Sequence, residues 1–292
     1  MFEFILQQII GGLTIGSMYS LVAMGYSMIF ASMEIVNFAQ GELFMLGAVF
    51  GVILFKVFNL PFMLTFVITL LLLAVIGLVV RLAIVKPLRE KEHLMVIIAT
   101  ASLSIVIKTA TIVWWLPEGT SFPSIFGDNP VEIMGLIVIP QNLWIIGIGL
   151  FVMLALHIFL KNTKTGIEMR AVAQDRLASR LIGISIDKTD SLTFAISSAM
   201  AAAAGLLMAP IFYVTPDMGV LIGLKGFIAA ILGGFGSIPG AMVGGLLLGV
   251  SENIIGGFIS SGYKNAIAFL VLILVLYFLP DGIFKRRIEG RI

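Results

Sequence analysis

KNTKTGIEMRAVAQDRLASRLIGISIDK, residues 161–188, is the one substantial polar segment of this 292-residue chain. It holds six basic residues (Lys161, Lys164, Arg170, Arg176, Arg180, Lys188) between apolar stretches long enough to cross a bilayer, which takes about 20 residues. Two further basic islands stand apart from it: Arg81, Lys86, Arg89 and Lys91, then Lys285, Arg286, Arg287 and Arg291. Of the 18 Lys and Arg, only Lys56, Lys108, Lys225 and Lys264 lie elsewhere. Basic residues near span ends collect on the cytoplasmic side, so the islands define both class and orientation. The expected fold class is all-α: a polytopic membrane protein of eight or nine transmembrane helices, with broken or re-entrant glycine-rich segments.

Composition agrees. Hydrophobic residues make up 60% of the chain and charged residues 12%, with a mean hydropathy of +1.13. Soluble domains carry about a quarter charged residues. A net charge of +2 is too small to suggest nucleic acid. The absence of cysteine excludes disulfides, thiol chemistry and Cys-based metal sites. The start, MFEFILQQIIGG, has neither a basic stretch nor a small-residue cleavage site, and is expected to begin the first span.

Candidate spans are 4–31, 43–58, 61–85, 94–115, 142–160, 191–213, 219–233, 240–258 and 263–280. Islands one and two share a side, consistent with the two crossings between them. Islands two and three also share a side, so 191–280 crosses four times, or twice with a re-entrant piece. The C-terminus is then cytoplasmic, in the inner membrane of a bacterium. Residues 1–292 read as a single transmembrane domain with an external loop at 116–140 and a cytoplasmic loop at 161–190. The external loop has no Lys or Arg but carries Glu118, Asp128, Glu132 and four prolines.

Within the cytoplasmic loop, Thr165 and Glu168 have the spacing of a capping box, and Gly183 suits a left-handed stop. A capped helix over 166–183 is expected. Ala173, Leu177, Leu181 and Ile184 would share one face, flanked by Arg170, Arg176 and Arg180. Such a helix suits either lipid headgroups or a partner's groove.

Many glycines recur at small-xxx-small spacing, which lets helices approach closely where lipid supplies no hydrophobic drive. GAVFG (47–51) and GAMVG (240–244) each follow a polar or glycine-rich break, a faint sign of an internal repeat. The first break, Asn37–Glu42, sets Asn37, Gln40, Gly41 and Glu42 between apolar runs. Polar groups at membrane depth mark a pathway or a paired structural contact. Here the choice is between a substrate route and helix capping. The second break holds Gly236 and Gly240, and Glu252 with Asn253 forms another polar pair in a glycine-rich span. The two breaks are expected to face each other across a route. Lys108, Lys225 and Lys264 read as snorkelling near helix ends.

Enzyme motifs fail. No G-x-x-x-x-G-K-[ST] phosphate loop, H-E-x-x-H or G-x-S-x-G is present. His93 and His157 are isolated, Lys164-Thr165-Gly166 lacks companion motifs, and Gly234–Gly240 follows an apolar helix rather than a strand. No catalytic residue, metal site or cofactor is expected.

GLTIGSMYSLVAMGYSMIFASMEIVNFAQGELFMLGA (12–48), RAVAQDRLASRLIGI (170–184), AAAAGLLMAP (201–210), KGFIAAILGGFGSIPGAMVGGLLLG (225–249) and LPDGIF (279–284) together resemble the LivH-type permeases of branched-chain amino acid ABC importers. The resemblance runs nearly end to end. It implies a pore-forming subunit paired with a homologous LivM-like permease, two separate ATPase subunits and a periplasmic substrate-binding protein. It implies that 166–183 is the coupling helix that docks on an ATPase, with Arg170, Ala171, Asp175, Ala178 and Gly183 on the family pattern and Arg176, Leu177, Arg180 and Leu181 at the contact. Similar permeases import urea, short amides or other small solutes, so the substrate stays open. Many relatives carry His where this chain has Gln40. Without the resemblance, a stand-alone secondary carrier fits too; such a carrier usually shows several buried ionisable residues for coupling.

Overall fold

The computed structural model describes residues 1–89, 93–115, 119–124, 130–133, 136–258, 262 and 264–284. Lys91, Glu118, Asp128 and the third basic island lie outside them, as does the side chain of Lys264. The described helices are α1 (Phe2–Met33), α2 (Gln40–Val52), α3 (Phe62–Val80), α4 (Lys86–Leu88), α5 (His93–Trp114), α6 (Pro140–Asn162), α7 (Lys164–Gln174), α8 (Arg176–Leu181), α9 (Ile186–Met208), α10 (Met218–Gly233), α11 (Ile238–Phe258) and α12 (Lys264–Phe278). Wider π turns extend α2 over Ile53–Val57 and α3 over Arg81–Val85. The second precedes Pro87, which lacks an N–H and crowds the carbonyl four residues earlier. Seven of these helices are long and apolar enough to span a membrane, and Met218–Gly233 and Ala268–Phe278 are shorter apolar helices. All nine expected spans are therefore helices, and the fold is an all-α polytopic membrane protein.

Ion pairs fix the common end of the first two islands. Arg81 pairs with Asp187, and Arg89 with Asp190 at 2.9 Å, joining the end of α3 to the start of α9. At the opposite end, Thr120 and Val214 exchange backbone hydrogen bonds (3.1 and 2.9 Å). These link the 116–140 loop to the α9–α10 connection. The loop also folds a short antiparallel hairpin, β1 (Val131–Ile133) with β2 (Leu136–Val138), which the sequence reading did not anticipate.

Two helices form the centre. α1 is buried along most of its length, with Met18, Leu21, Val22, Met24 and Ile29 fully enclosed. Its most extensive contact is antiparallel to α11. There a Cβ on Gly12 would meet the Val250 backbone at 2.6 Å, and one on Gly245 would meet Ser20 at 2.3 Å. α9 is the second hub, because Ser197, Ser198, Ala201–Ala204 and Gly205 are small enough to admit α1, α2 and α3 together. Close backbone approach of this kind supplies much of helix association in lipid. Gly47 and Gly51 pack on Ala202 and Leu206 of α9, whereas Gly240 and Gly244 pack on Gly233 and Ala229 of α10. The two glycine pairs thus serve unlike seams.

α2 begins well inside the bundle. Gln40 touches Ser197, eleven residues into α9, which is about 16 Å along the helix. The chain leaves the basic end after α1, turns at Glu34 in the left-handed region (φ 56°), and re-enters through 35–39 before α2 starts.

Candidate functional site

The sequence-predicted residues fall into three places. The first is a polar knot around the start of α2. The Asn37 side chain accepts a hydrogen bond from the Ala39 amide (3.2 Å), and the Thr100 hydroxyl accepts one from the Phe38 amide (3.2 Å). Gln40 donates to the Ser197 carbonyl and accepts from the Ser197 hydroxyl, both at 3.1 Å. Glu42 accepts from Ser104 at 3.2 Å through one oxygen. Its other oxygen is buried beside Gly219 without a hydrogen-bond partner among the described residues. Gly41 lies against α10, where a Cβ would meet the Gly219 carbonyl oxygen at 2.2 Å. Asn37 therefore holds the turn that leads into α2, Gln40 ties α2 to α9, and Gly41 permits a close helix crossing.

The contact partner of this break is the first two turns of α10, at Gly219 and Gly223, and not the Gly233–Gly244 break. The expected face-to-face arrangement is corrected accordingly. Gly240 packs on Gly233, and Gly234 (φ 105°) and Gly236 (φ 89°) shape the α10–α11 turn. The LPDGIF segment covers that turn: the Ile283 and Phe284 amides donate to the Leu232 and Gly233 carbonyls, each at 3.0 Å.

The second place holds Glu252. One carboxylate oxygen pairs with Lys225 at 2.5 Å, and the other accepts a hydrogen bond from the Tyr19 hydroxyl at 3.0 Å. The Lys225 nitrogen stands 5.6 Å from the centre of the Tyr19 ring. Both charged residues are buried. The snorkelling reading of Lys225 is wrong for a physical reason: it sits midway along α10, too far from either end. Lys108 pairs with Asp217 at 2.5 Å. The buried pair lines a cavity of about 520 Å³ among α1, α10, α11 and α12. Its most exposed lining residues, Tyr213 and Asp217, lie at the end opposite the basic islands.

The third place is the polar loop 161–190. The cap is Thr163, not Thr165: its backbone is extended and its hydroxyl accepts from the Gly166 amide at 3.0 Å, while Thr165 is already helical. The expected single helix is two. Asp175 leaves helical geometry (φ −150°, ψ 111°) and its side chain caps α8 through the Ala178 amide at 2.9 Å. Gly183 does end the segment in the left-handed region (φ 88°). The break divides the predicted face. Ala173 turns toward Met28 and Leu160, whereas Leu177, Leu181 and Ile182 stand 68%, 80% and 76% exposed. Arg170 and Arg180 are exposed. Arg176 instead points inward, to the Ser32 carbonyl and, at 2.8 Å, to Asp190. Asp190 is fully buried, pairs also with Arg89, and accepts from the Ser32 hydroxyl at 3.1 Å. This node was missed because its members are scattered along the chain. An aspartate within four residues of a span start was its signal.

Multiple crossings and polar residues enclosed at membrane depth fit a membrane transport subunit. The chain belongs to the family described as "Branched-chain amino acid transport system / permease component", whose model matches residues 8–276. It is 33% identical to the high-affinity branched-chain amino acid transport system permease protein LivH of Salmonella typhimurium, covering 98% of this chain and 97% of that one. It is 34% identical to the corresponding protein BraD of Pseudomonas aeruginosa, covering 96% of each. Among solved structures, PsaBC from Streptococcus pneumoniae in complex with Fab matches with a TM-score of 0.50 and 13% identity, over 93% of this chain and 91% of that one, a likeness of fold.

Proposed function

We propose that the chain is the membrane-spanning subunit of an ATP-driven importer and forms the route for branched-chain amino acids delivered by a periplasmic binding protein. It would work beside a homologous LivM-like permease and above two ATPase subunits, in the bacterial inner membrane with a cytoplasmic C-terminus. The observation that carries this reading is the exposed apolar face of α8. Leu177, Leu181 and Ile182 project beside Arg170 and Arg180 at the basic end, on a helix tethered from behind by Arg176. Exposed apolar side chains on a rigidly held polar helix fit a protein groove. Asp175 and Gly183 set the start and the end of that helix. The α2 start (Asn37, Gln40, Gly41, Glu42), the α10–α11 turn (Gly236, Gly240) and Glu252 are proposed to border or shape the route. Irregular backbone at membrane depth is tolerated where it is buried in protein or lines a cavity.

The test is ATP-driven uptake of leucine into vesicles containing the assembled complex, with and without the ATPases. Leu177→Glu would place a charge in an apolar contact, at a cost of about 2 kcal/mol or more. ATPase subunits should then fail to co-purify while the permease still inserts. Retained co-purification and uptake would remove the docking role. Single cysteines at Thr120, Lys164 and Phe284 test orientation: only position 120 should label from outside intact cells.

A further inference from the structure

We infer that Lys225 and Glu252, with Tyr19, bind the two charged ends of a zwitterionic α-amino acid in the 520 Å³ cavity that they line. The inference rests on the importer reading above and names the substrate chemistry of one site in it. Three observations converge. First, an ion pair within an apolar bundle is a poor source of stability, because desolvation offsets the attraction and well-packed apolar residues do as well. Its retention among membrane helices marks a functional place. Second, the pair is not sealed in the core, since both members line the cavity. Glu252 already uses both oxygens, on Lys225 and Tyr19, but an ammonium carries three donors and the Glu252 contact takes one. Third, most of the remaining wall is apolar, from Ile15, Met208, Phe212, Met218, Leu221 and Ile222, with Tyr213, Thr215, Asp217 and Asn265 as its polar members.

Opposite charges fixed side by side in a largely apolar wall complement a zwitterion carrying an aliphatic side chain. The ligand carboxylate would take the Lys225 ammonium, and its ammonium the Glu252 carboxylate. Each protein charge exchanges its partner for one of like sign, so neither is left buried and unpaired. A solute with one charge would leave the other protein charge uncompensated. Cavities of this size suit small molecules, and its most exposed lining residues lie at the end where a periplasmic protein would deliver them.

The experiment uses the purified permease complex and radiolabelled leucine, measuring equilibrium binding and ATP-driven vesicle uptake. Lys225→Gln and Glu252→Gln should each weaken leucine binding about tenfold or more, since each removes a hydrogen bond to a charged group. On the wild type, isocaproate, which lacks the ammonium, and isoamylamine, which lacks the carboxylate, should compete at least about tenfold more weakly than leucine. The exchange K225E/E252K keeps a pair of opposite charges but reverses its direction. It should assemble as the wild type does and remain impaired in binding. Full restoration by the exchange, or wild-type binding in Lys225→Gln, would make the pair a structural strut and overturn the site. Should the exchange not assemble, the competition decides, and equal competition by the two half-ligands overturns the inference. A wild type that binds no leucine overturns it as well. Pair-dependent leucine binding without ATP-driven uptake would instead refute the importer reading and leave the site standing. Uptake indifferent to Lys225→Gln does the reverse.

Discussion

Helices α3 and α8 both expose leucines, for opposite reasons. α3 buries Thr65, Thr69, Leu73 and Gly77, one residue per turn, and Arg81 continues that face. Outward it turns Leu71 (62% exposed), Val75 and Val79. This is an inside-out helix. Its small and hydroxyl residues press on α9, where a Cβ at Gly77 would meet the Phe194 carbonyl oxygen at 2.6 Å, and its apolar face belongs to lipid. α8 sits at the basic end among Arg and Lys, beyond the apolar spans, so lipid tails do not account for Leu177 and Leu181. The same exposed side chain thus means solvation by hydrocarbon in one place and, on the function proposed above, a seat for a protein partner in the other.

The contrast can be broken by the same substitution in both helices. Leu71→Asp, at the centre of α3, should impair insertion by about 3 kcal/mol or more, read as loss of membrane-integrated protein. Next in size is Gly77→Leu, which overpacks the α3–α9 seam and should cost up to about 3 kcal/mol, read as lower thermal stability in detergent. Asp190→Asn should cost a similar amount, about 3 kcal/mol, by leaving Arg89 and Arg176 without their shared counter-charge. The sharper reading there is ATPase co-purification, which should fall because α8 loses its tether. The smallest effect is expected from Leu181→Asp in the isolated subunit, within about 0.5 kcal/mol. A large loss of stability in that variant would mean that α8 packs against the bundle.

Much of the architecture was legible because bilayer thickness imposes span length and basic residues mark ends. Those two constraints act locally and read directly from the chain. Lys225 was misread, although its position midway along α10 argued against snorkelling, because its partner Glu252 lies on the next helix. The Asn37–Glu42 break was visible as polar residues in an apolar run, yet its packing against Gly219 and Gly223 depends on a tertiary contact. The extended residue Thr163 beat the Thr165 capping box for the same kind of reason: the backbone angles at Thr163, which end α6 and begin α7, decide which hydroxyl can cap.

The clasp of Ile283 and Phe284 on the last carbonyls of α10 carries a consequence for how the chain is made. Helix ends carry carbonyls without intrahelical partners, and here two of them are satisfied by a segment translated some fifty residues later. At about 5–20 residues per second, the α10–α11 turn waits several seconds for the residues that complete it. Until then the corner between α10 and α11 is unfinished. A ribosome that stops before residue 283 leaves a protein with every span and no latch.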